Sequence, residues 1–176
     1  MWEELGTAND EIEVVTHRDK WVAAFESESK PIMLHCSGIL TAIEHIGSTS
    51  VPGLAAKSVL DIMLGLATGT DGEKLVKPMT DLGYEFLGEY GIEGRYFFVL
   101  KHQNRTVVHA HGFAITNDNW HRHLFFRDYL INHPDARKEY ERIKLKLAEQ
   151  YRKDRKAYSD GKSDFIRSIE NLRYSQ

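Results

Sequence analysis

The residues best suited to chemistry lie in one run, Glu44-His45-Ile46-Gly47-Ser48-Thr49-Ser50-Val51-Pro52-Gly53-Leu54-Ala55-Ala56-Lys57-Ser58-Val59-Leu60-Asp61-Ile62. Gly47 lets the backbone approach an anion, Ser48, Thr49 and Ser50 offer hydroxyls, and Lys57 adds a point charge in the same loop. Asp61 follows on an extended segment and supplies a carboxylate of the kind that holds a divalent ion against a phosphate. Two adjacent elements of a phosphate site are thus in place. The plainer reading is an ordinary Gly/Ser/Pro turn followed by a hydrogen-bonded strand aspartate. Further along, His109 and His111 share one face of an extended segment. Imidazole prefers Zn, Mn, Fe, Co or Ni to Mg, so Asp61, His109 and His111 form a candidate transition-metal site. Direct phosphate binding and a hydrogen-bonded surface role are the alternatives for the two histidines.

These groups need strands to hold them. Extended segments are expected at 41–46 and 58–66, where alternation puts Val59, Asp61, Met63 and Gly65 on one face and Leu60, Ile62, Leu64 and Leu66 on the other. The wholly apolar face belongs against helices. Further strands are expected at 84–87, 95–101 and 106–115, with Gln103-Asn104 as a hairpin turn. Thr16-His17-Arg18-Asp19 reads as a capping box opening a helix that carries Trp21, Val22 and Phe25, with a kink or restart at Pro31. A short helix fits 71–81. After Asn117 the pattern is helical: Trp120, Leu124 and Phe125 on one helix, then Ala136, Tyr140, Ile143 and Leu147 on a helix with Pro134 in its first turn. A last helix bears Phe165, Ile166, Ile169 and Leu172, capped by Ser159 or Asp160. The fold class is therefore α+β, a small mixed sheet with an N-terminal helix and a C-terminal helical layer. One domain spans 1–176, with 1–15 as a loose lead-in.

The block from Glu44 to Ile62 resembles the GrpB family, and the resemblance continues in Gly91-Ile92-Glu93-Gly94-Arg95-Tyr96-Phe97, His109-Ala110-His111, His123 to Leu130, His133-Pro134, Lys144, Tyr158, Lys162 and Phe165. It covers nearly the whole chain from about residue 12. The family is regarded as a branch of the DNA-polymerase-beta-like nucleotidyltransferases, whose pattern is Gly-Ser, a dozen residues, then a pair of acids. Ser48 and Asp61 fit that spacing, which makes Asp61 the candidate catalytic residue and implies a Mg or Mn ion beside a nucleotide. Met63 stands where the second acid belongs, and a thioether is a poor ligand for Mg²⁺, so the two-metal scheme does not carry over intact. The resemblance also raises Arg95 and Arg127 from surface salt bridges to candidate phosphate clamps. His45 is expected to orient the loop by a hydrogen bond. Some relatives are fused to dephospho-coenzyme A kinase, so the alternative function is a non-catalytic ligand-binding or partner domain associated with coenzyme A synthesis.

Composition limits the remaining classes. At 176 residues, 41% hydrophobic and 11% aromatic, the chain can bury a sizeable core. It has no apolar run of about 18 residues and opens on acid rather than a basic leader, so no membrane partner is expected. Cys36 is the sole cysteine, which excludes an internal disulfide and makes a cytoplasmic location the default. Residues 1–116 hold 9 basic against 16 acidic side chains and 117–176 hold 14 against 10, which would suit a phosphorylated ligand between the halves. The partner expected is a nucleotide or phosphorylated small molecule. Nucleic acid is the less favoured partner, and oligomeric state is not written in the chain.

Overall fold

Five strands organise the computed structural model, which describes residues 2, 5–6 and 11–174. They are β1 (Leu40–Ile46), β2 (Leu60–Leu66), β3 (Glu85–Phe86), β4 (Tyr96–His102) and β5 (Arg105–Ala114), in the order β1-β2-β5-β4-β3. Only β2 and β5 run parallel; the remaining pairs are antiparallel. The expected mixed sheet is present.

Strand alternation divides the sheet as its sequence predicts. Leu60, Ile62, Leu64 and Leu66 of β2 join Val108 and Ala110 of β5 and Phe98 of β4 in the main core. That face is covered by α1 (Lys20–His35) and α2 (Val76–Asp81), through Trp21, Ala24, Ile32 and Met79. On the other face Ile46, Met63 and Phe113 pack under Trp120 of α3 (Asp118–Asn132). Three more helices extend that second layer: α4 (Pro134–Gln150), α5 (Arg155–Asp160) and α6 (Ser163–Glu170). Their apolar side chains, Tyr140 and Ile169 among them, meet Val51 and Leu54 of the β1–β2 loop. Burying this much apolar surface, at about 25 cal/mol per Å², is what holds a polar loop between two layers.

Local chemistry explains the element ends. Pro134 sits in the first turn of α4, where a missing amide costs nothing. Asn117 accepts from the Asn119 amide at 2.8 Å and starts α3. Gln103 and Asn104 both adopt positive φ, 48° and 59°, as a two-residue hairpin turn with right-handed twist requires.

Several boundaries differ from expectation. The first helix begins at Lys20 and Thr16 caps nothing; the preceding His17 packs edge-on against Trp21 instead. Pro31 does not restart the helix, because burial of Ile32 beyond it outweighs one lost hydrogen bond. The 84–87 strand shortens to Glu85–Phe86. The expected last helix is α6, which starts after Lys162 and not after Ser159 or Asp160; those two lie at the end of a separate helix, α5, which Asp154 caps by accepting from the Ala157 amide at 2.9 Å. Of the expected loose lead-in, positions 1, 3–4 and 7–10 lie outside the described residues. Its later part is pinned: Ile12 is buried and donates to the Arg152 carbonyl at 2.7 Å, and Val15 bridges Ala56. Among the described residues no helix is long and apolar enough to cross a membrane.

Candidate functional site

The register of two parallel strands assembles the first part of the site. Asp61 on β2 lies beside His109 on β5, and Met63 beside His111, so all four side chains leave the same face. Asp61 Oδ1 is 3.3 Å from His109 Nδ1 and 3.5 Å from His111 Nε2. Burial opposes ionisation of Asp61, but hydrogen bonds and charge from the two imidazoles outweigh it and hold the carboxyl well below its ordinary range. His111 is pushed down by burial, with Asp61 opposing.

The loop after β1 closes over this aspartate. Gly47 has φ +70° and ψ −171°, a region only glycine adopts readily, and a Cβ there would lie 2.4 Å from Asp61 Oδ2. Only glycine lets the chain pass so near the carboxylate. Of the three hydroxyls in the turn Ser48–Ser50, two look inward. Thr49 Oγ1 meets His45 Nε2 at 3.0 Å and Ser50 donates to the Gly47 carbonyl at 2.6 Å. His45 thus orients the loop; burial lowers its pKa to about 4, so it holds this contact as a neutral ring. Ser48 turns the other way, toward α4.

That helix supplies what sequence reasoning missed. Lys144 is only 2% exposed, and its ammonium donates to Ser48 Oγ at 3.0 Å and to the Ala55 carbonyl. Three residues earlier on the same helix face, Glu141 accepts from the Ala55 amide at 2.6 Å. One helix face therefore clamps both ends of the loop. Burial, with Lys162 nearby, pushes Lys144 down to about 7, and burial with Lys57 nearby pushes Lys162 down to about 8. Lys57 is also lowered by burial, with Asp61 opposing. Lys57 and Lys162 lie over one ring, that of buried Tyr158, at 5.6 and 4.3 Å from its centroid, and Lys144 lies 4.9 Å from that of Tyr140.

A cavity of about 360 Å³ joins these parts, with Gly47, Ser48, Lys57 and Asp61 on one side and Lys144, Tyr158 and Lys162 on the other. His109, His111 and His123 line it as well. His123 Nδ1–H donates to the Asn119 carbonyl at 2.7 Å, leaving Nε2 as its acceptor, and burial lowers the ring to about 3. Nearby, Arg122 pairs with Glu170 at 2.8 Å.

Two candidates from the sequence lie away from this wall. Arg95 donates to the Glu89 and Tyr90 carbonyls at 3.0 and 2.6 Å, stacks 4.4 Å from Phe97, and reaches only the back of His111, 3.4 Å from Nδ1. Arg127 is committed to Glu44 at 2.7 Å, Asp128 at 2.7 Å and the His45 carbonyl at 3.0 Å. Both brace the frame around the cavity.

The expected metal set has its own geometry. Asp61 meets the two imidazoles separately, and among the described residues no three His, Cys, Asp or Glu side chains gather to hold a cation. A guanidinium only donates, so the Arg95 contact makes His111 Nδ1 an acceptor and leaves the proton on Nε2, facing Asp61. A nitrogen that carries a proton is no metal ligand, so the donor set does not fit the ion. Met63 is fully buried among Ile46, Phe113 and Trp120, where a carboxylate would lack a partner.

Lys144 left a sequence signal: it follows Tyr140 by four residues, placing a cation on the apolar stripe of its helix. Lys162 and Tyr158 repeat that spacing, but across a helix break no periodicity reveals.

Known proteins share this arrangement of chain. A profile of the GrpB protein family matches residues 11–172. The glutamate-rich protein GrpB of Alkalihalophilus pseudofirmus is 33% identical over 171 residues, covering 95% of this chain and 98% of that one. The UPF0157 protein YqkA of Bacillus subtilis is 35% identical over 159 residues, 90% of this chain but 46% of YqkA, so the chain spans about half that relative's length. Among solved structures, the crystal structure of conserved protein GrpB from Enterococcus faecalis has a TM-score of 0.83 at 30% identity, covering 93% of this chain and 100% of that one. A fainter likeness, 25% over 154 residues, is to dephospho-CoA kinase of Mycolicibacterium paratuberculosis, reaching 71% of this chain and 37% of that enzyme.

Proposed function

The chain belongs to the GrpB family, and we propose that its cavity binds the phosphate of a nucleotide or another phosphorylated small molecule, on a nucleotidyltransferase-like scaffold. The observation that carries this reading is the convergence of Lys57, Lys144 and Lys162 on one pocket beside the Gly47–Ser50 turn. Like charges gathered in a partly dry cavity repel, and burial lowers all three pKa values. An anion removes that repulsion and restores full charge to each ammonium. The volume, about 360 Å³, is at the lower end of the range for small-molecule sites.

The spacing from Ser48 to Asp61 supports the nucleotidyltransferase comparison, because it brings Gly47 directly against the Asp61 carboxylate. The buried Met63 argues that binding, rather than the two-carboxylate transfer reaction, is what this chain keeps. The likeness to dephospho-CoA kinase makes dephospho-coenzyme A one ligand worth including.

Isothermal calorimetry with orthophosphate, AMP, ATP and dephospho-coenzyme A tests the proposal. At least one should bind the wild-type protein, with affinity reduced about tenfold or more in Lys162→Met, as loss of a charge-assisted contact predicts. Absence of heat from all four, or equal affinity in the variant, overturns it.

A further inference from the structure

Resting on that reading of the cavity, we propose that a phosphate monoester is neutralised here by lysine ammonium groups alone, with Asp61 acting as the fixed acceptor for His109 and the negative charge facing His111 rather than as a metal ligand.

The charges of the wall suit such a ligand. With an anion bound and all three protonated, Lys57, Lys144 and Lys162 bring three positive charges, Asp61 brings one negative, and Arg122 with Glu170 forms a neutral pair. The excess of two matches a phosphate monoester dianion. Among the described residues none of the three ammonium groups lies in an ion pair; they rest on tyrosine rings and, for Lys144, on a hydroxyl and a carbonyl. A ring face holds a cation in place without cancelling its charge. The counter-charge is left to come from a ligand.

Asp61, in contrast, offers a hard cation only a single carboxylate on the cavity wall, its side chain 30% exposed. Its Oδ1 faces His109 Nδ1 and His111 Nε2 at 3.3 and 3.5 Å, and its Oδ2 points into the space that Gly47 leaves by lacking a Cβ. Mg²⁺ needs near-octahedral oxygen coordination at roughly 2.0–2.1 Å, usually from more than one carboxylate or with several waters retained. Here the neighbouring strand position is Met63, sealed in the apolar cluster. The proton positions follow from the partners. An ionised carboxylate only accepts, so His109 carries its proton on Nδ1, and its Nε2 is left as an acceptor for a ligand hydroxyl. His111 carries its proton on Nε2, because Arg95 donates to Nδ1. That Nε2–H is buried and makes no aligned hydrogen bond within the protein.

The experiment is calorimetry of orthophosphate and AMP on protein treated with EDTA, repeated with added Mg²⁺ and with Mn²⁺. The inference expects the same dissociation constant, within about twofold, in all three conditions, and a loss of about tenfold or more in both Lys57→Gln and Lys162→Gln. Far-UV circular dichroism of each variant establishes that it is folded. Binding that appears only with a divalent ion overturns this inference and leaves the phosphate site standing. Absence of binding in every condition overturns both. A second readout does not depend on ligand: nitrogen-15 spectra of the imidazoles should show His109 as the Nδ1–H tautomer and His111 as the Nε2–H tautomer. Selective broadening of both rings by Mn²⁺ in the absence of phosphate would place the ion on them and overturn the assignment.

Discussion

Raising the pH should stabilise the ligand-free protein between pH 7 and 9, and the effect can be worked from one residue. Lys144 is 2% exposed, and burial pushes its pKa from 10.5 to about 7. The unfolded chain then holds a proton over this window that the folded chain has released. Stability therefore rises with pH: the contribution is complete above the unfolded value and lost as pH falls through the folded one. Between pH 7 and 9 the integrated gain from a lysine so shifted is about 2 kcal/mol, or a Tm rise of very roughly 4–8 °C for a domain of this size. Lys162, lowered to about 8, acts in the same direction. Above pH 9 the trend should weaken, because Cys36 is raised from 9.0 to about 11 by burial and its contribution has the opposite sign. Differential scanning calorimetry in low-salt buffers, on wild type and Lys144→Met, is the assay. Methionine keeps the volume and removes the proton, so the slope should fall by about half while the absolute Tm also reflects the unpaired Ala55 carbonyl. A Tm that is flat or declines from pH 7 to 9, or a slope unchanged in Lys144→Met, would refute the reasoning. Saturating orthophosphate should flatten the slope, since the anion keeps the folded chain's lysines charged, as they are in the unfolded chain.

Three further substitutions separate frame from site. Gly47→Ala forces a side chain into the left-handed region and against Asp61 Oδ2, and should cost at least about 1–3 kcal/mol in urea denaturation. Arg127→Ala should lower stability by about 1–2 kcal/mol through the lost bonds to Glu44 and the His45 carbonyl, yet leave orthophosphate affinity within about twofold, unlike Lys162→Met. Tyr84→Phe removes the 2.6 Å bond to the buried Glu28 carboxyl in the main core, and should cost about 1–3 kcal/mol with no change in ligand binding.

The strands were legible because their information is local. Period-two alternation in 58–66 assigned Asp61 to one face and four aliphatic residues to the other before any partner strand was known, and the sheet keeps that assignment. His109 and His111 were placed on a shared face by the same rule. What the rule does not contain is the approach of distant segments. Lys144 and Ser48 are 96 residues apart, and nothing in either neighbourhood names the other. Arg95 and Arg127 looked equally suited to phosphate, but an arginine is drawn to whichever carboxylate or carbonyl the fold brings near, and here those belong to the frame. The capping box at Thr16 had suitable residue types, but packing of His17 on Trp21 sets the helix entry later.

The basic excess of residues 117–176 can be followed to its destinations, and these weigh the choice of partner. Arg122, Arg127, Arg142, Arg152, Lys156, Arg167 and Arg173 each pair with a carboxylate. Lys144 and Lys162 instead turn inward, where Lys57 from the first half of the chain meets them. A protein that reads single-stranded nucleic acid needs the reverse arrangement, an open basic groove with aromatic faces exposed to stack on bases. Of the two tyrosines flanking the basic run 152–156, Tyr158 is 2% exposed beneath Lys57 and Lys162, and Tyr151 is half-buried with its hydroxyl accepting from Gln150. Lys57, Lys144 and Lys162 thus concentrate charge in a pocket the size of a small molecule, while Lys138, Lys146 and Lys153 of the same basic half lie exposed. That concentration favours a discrete phosphorylated ligand over a polyanionic strand.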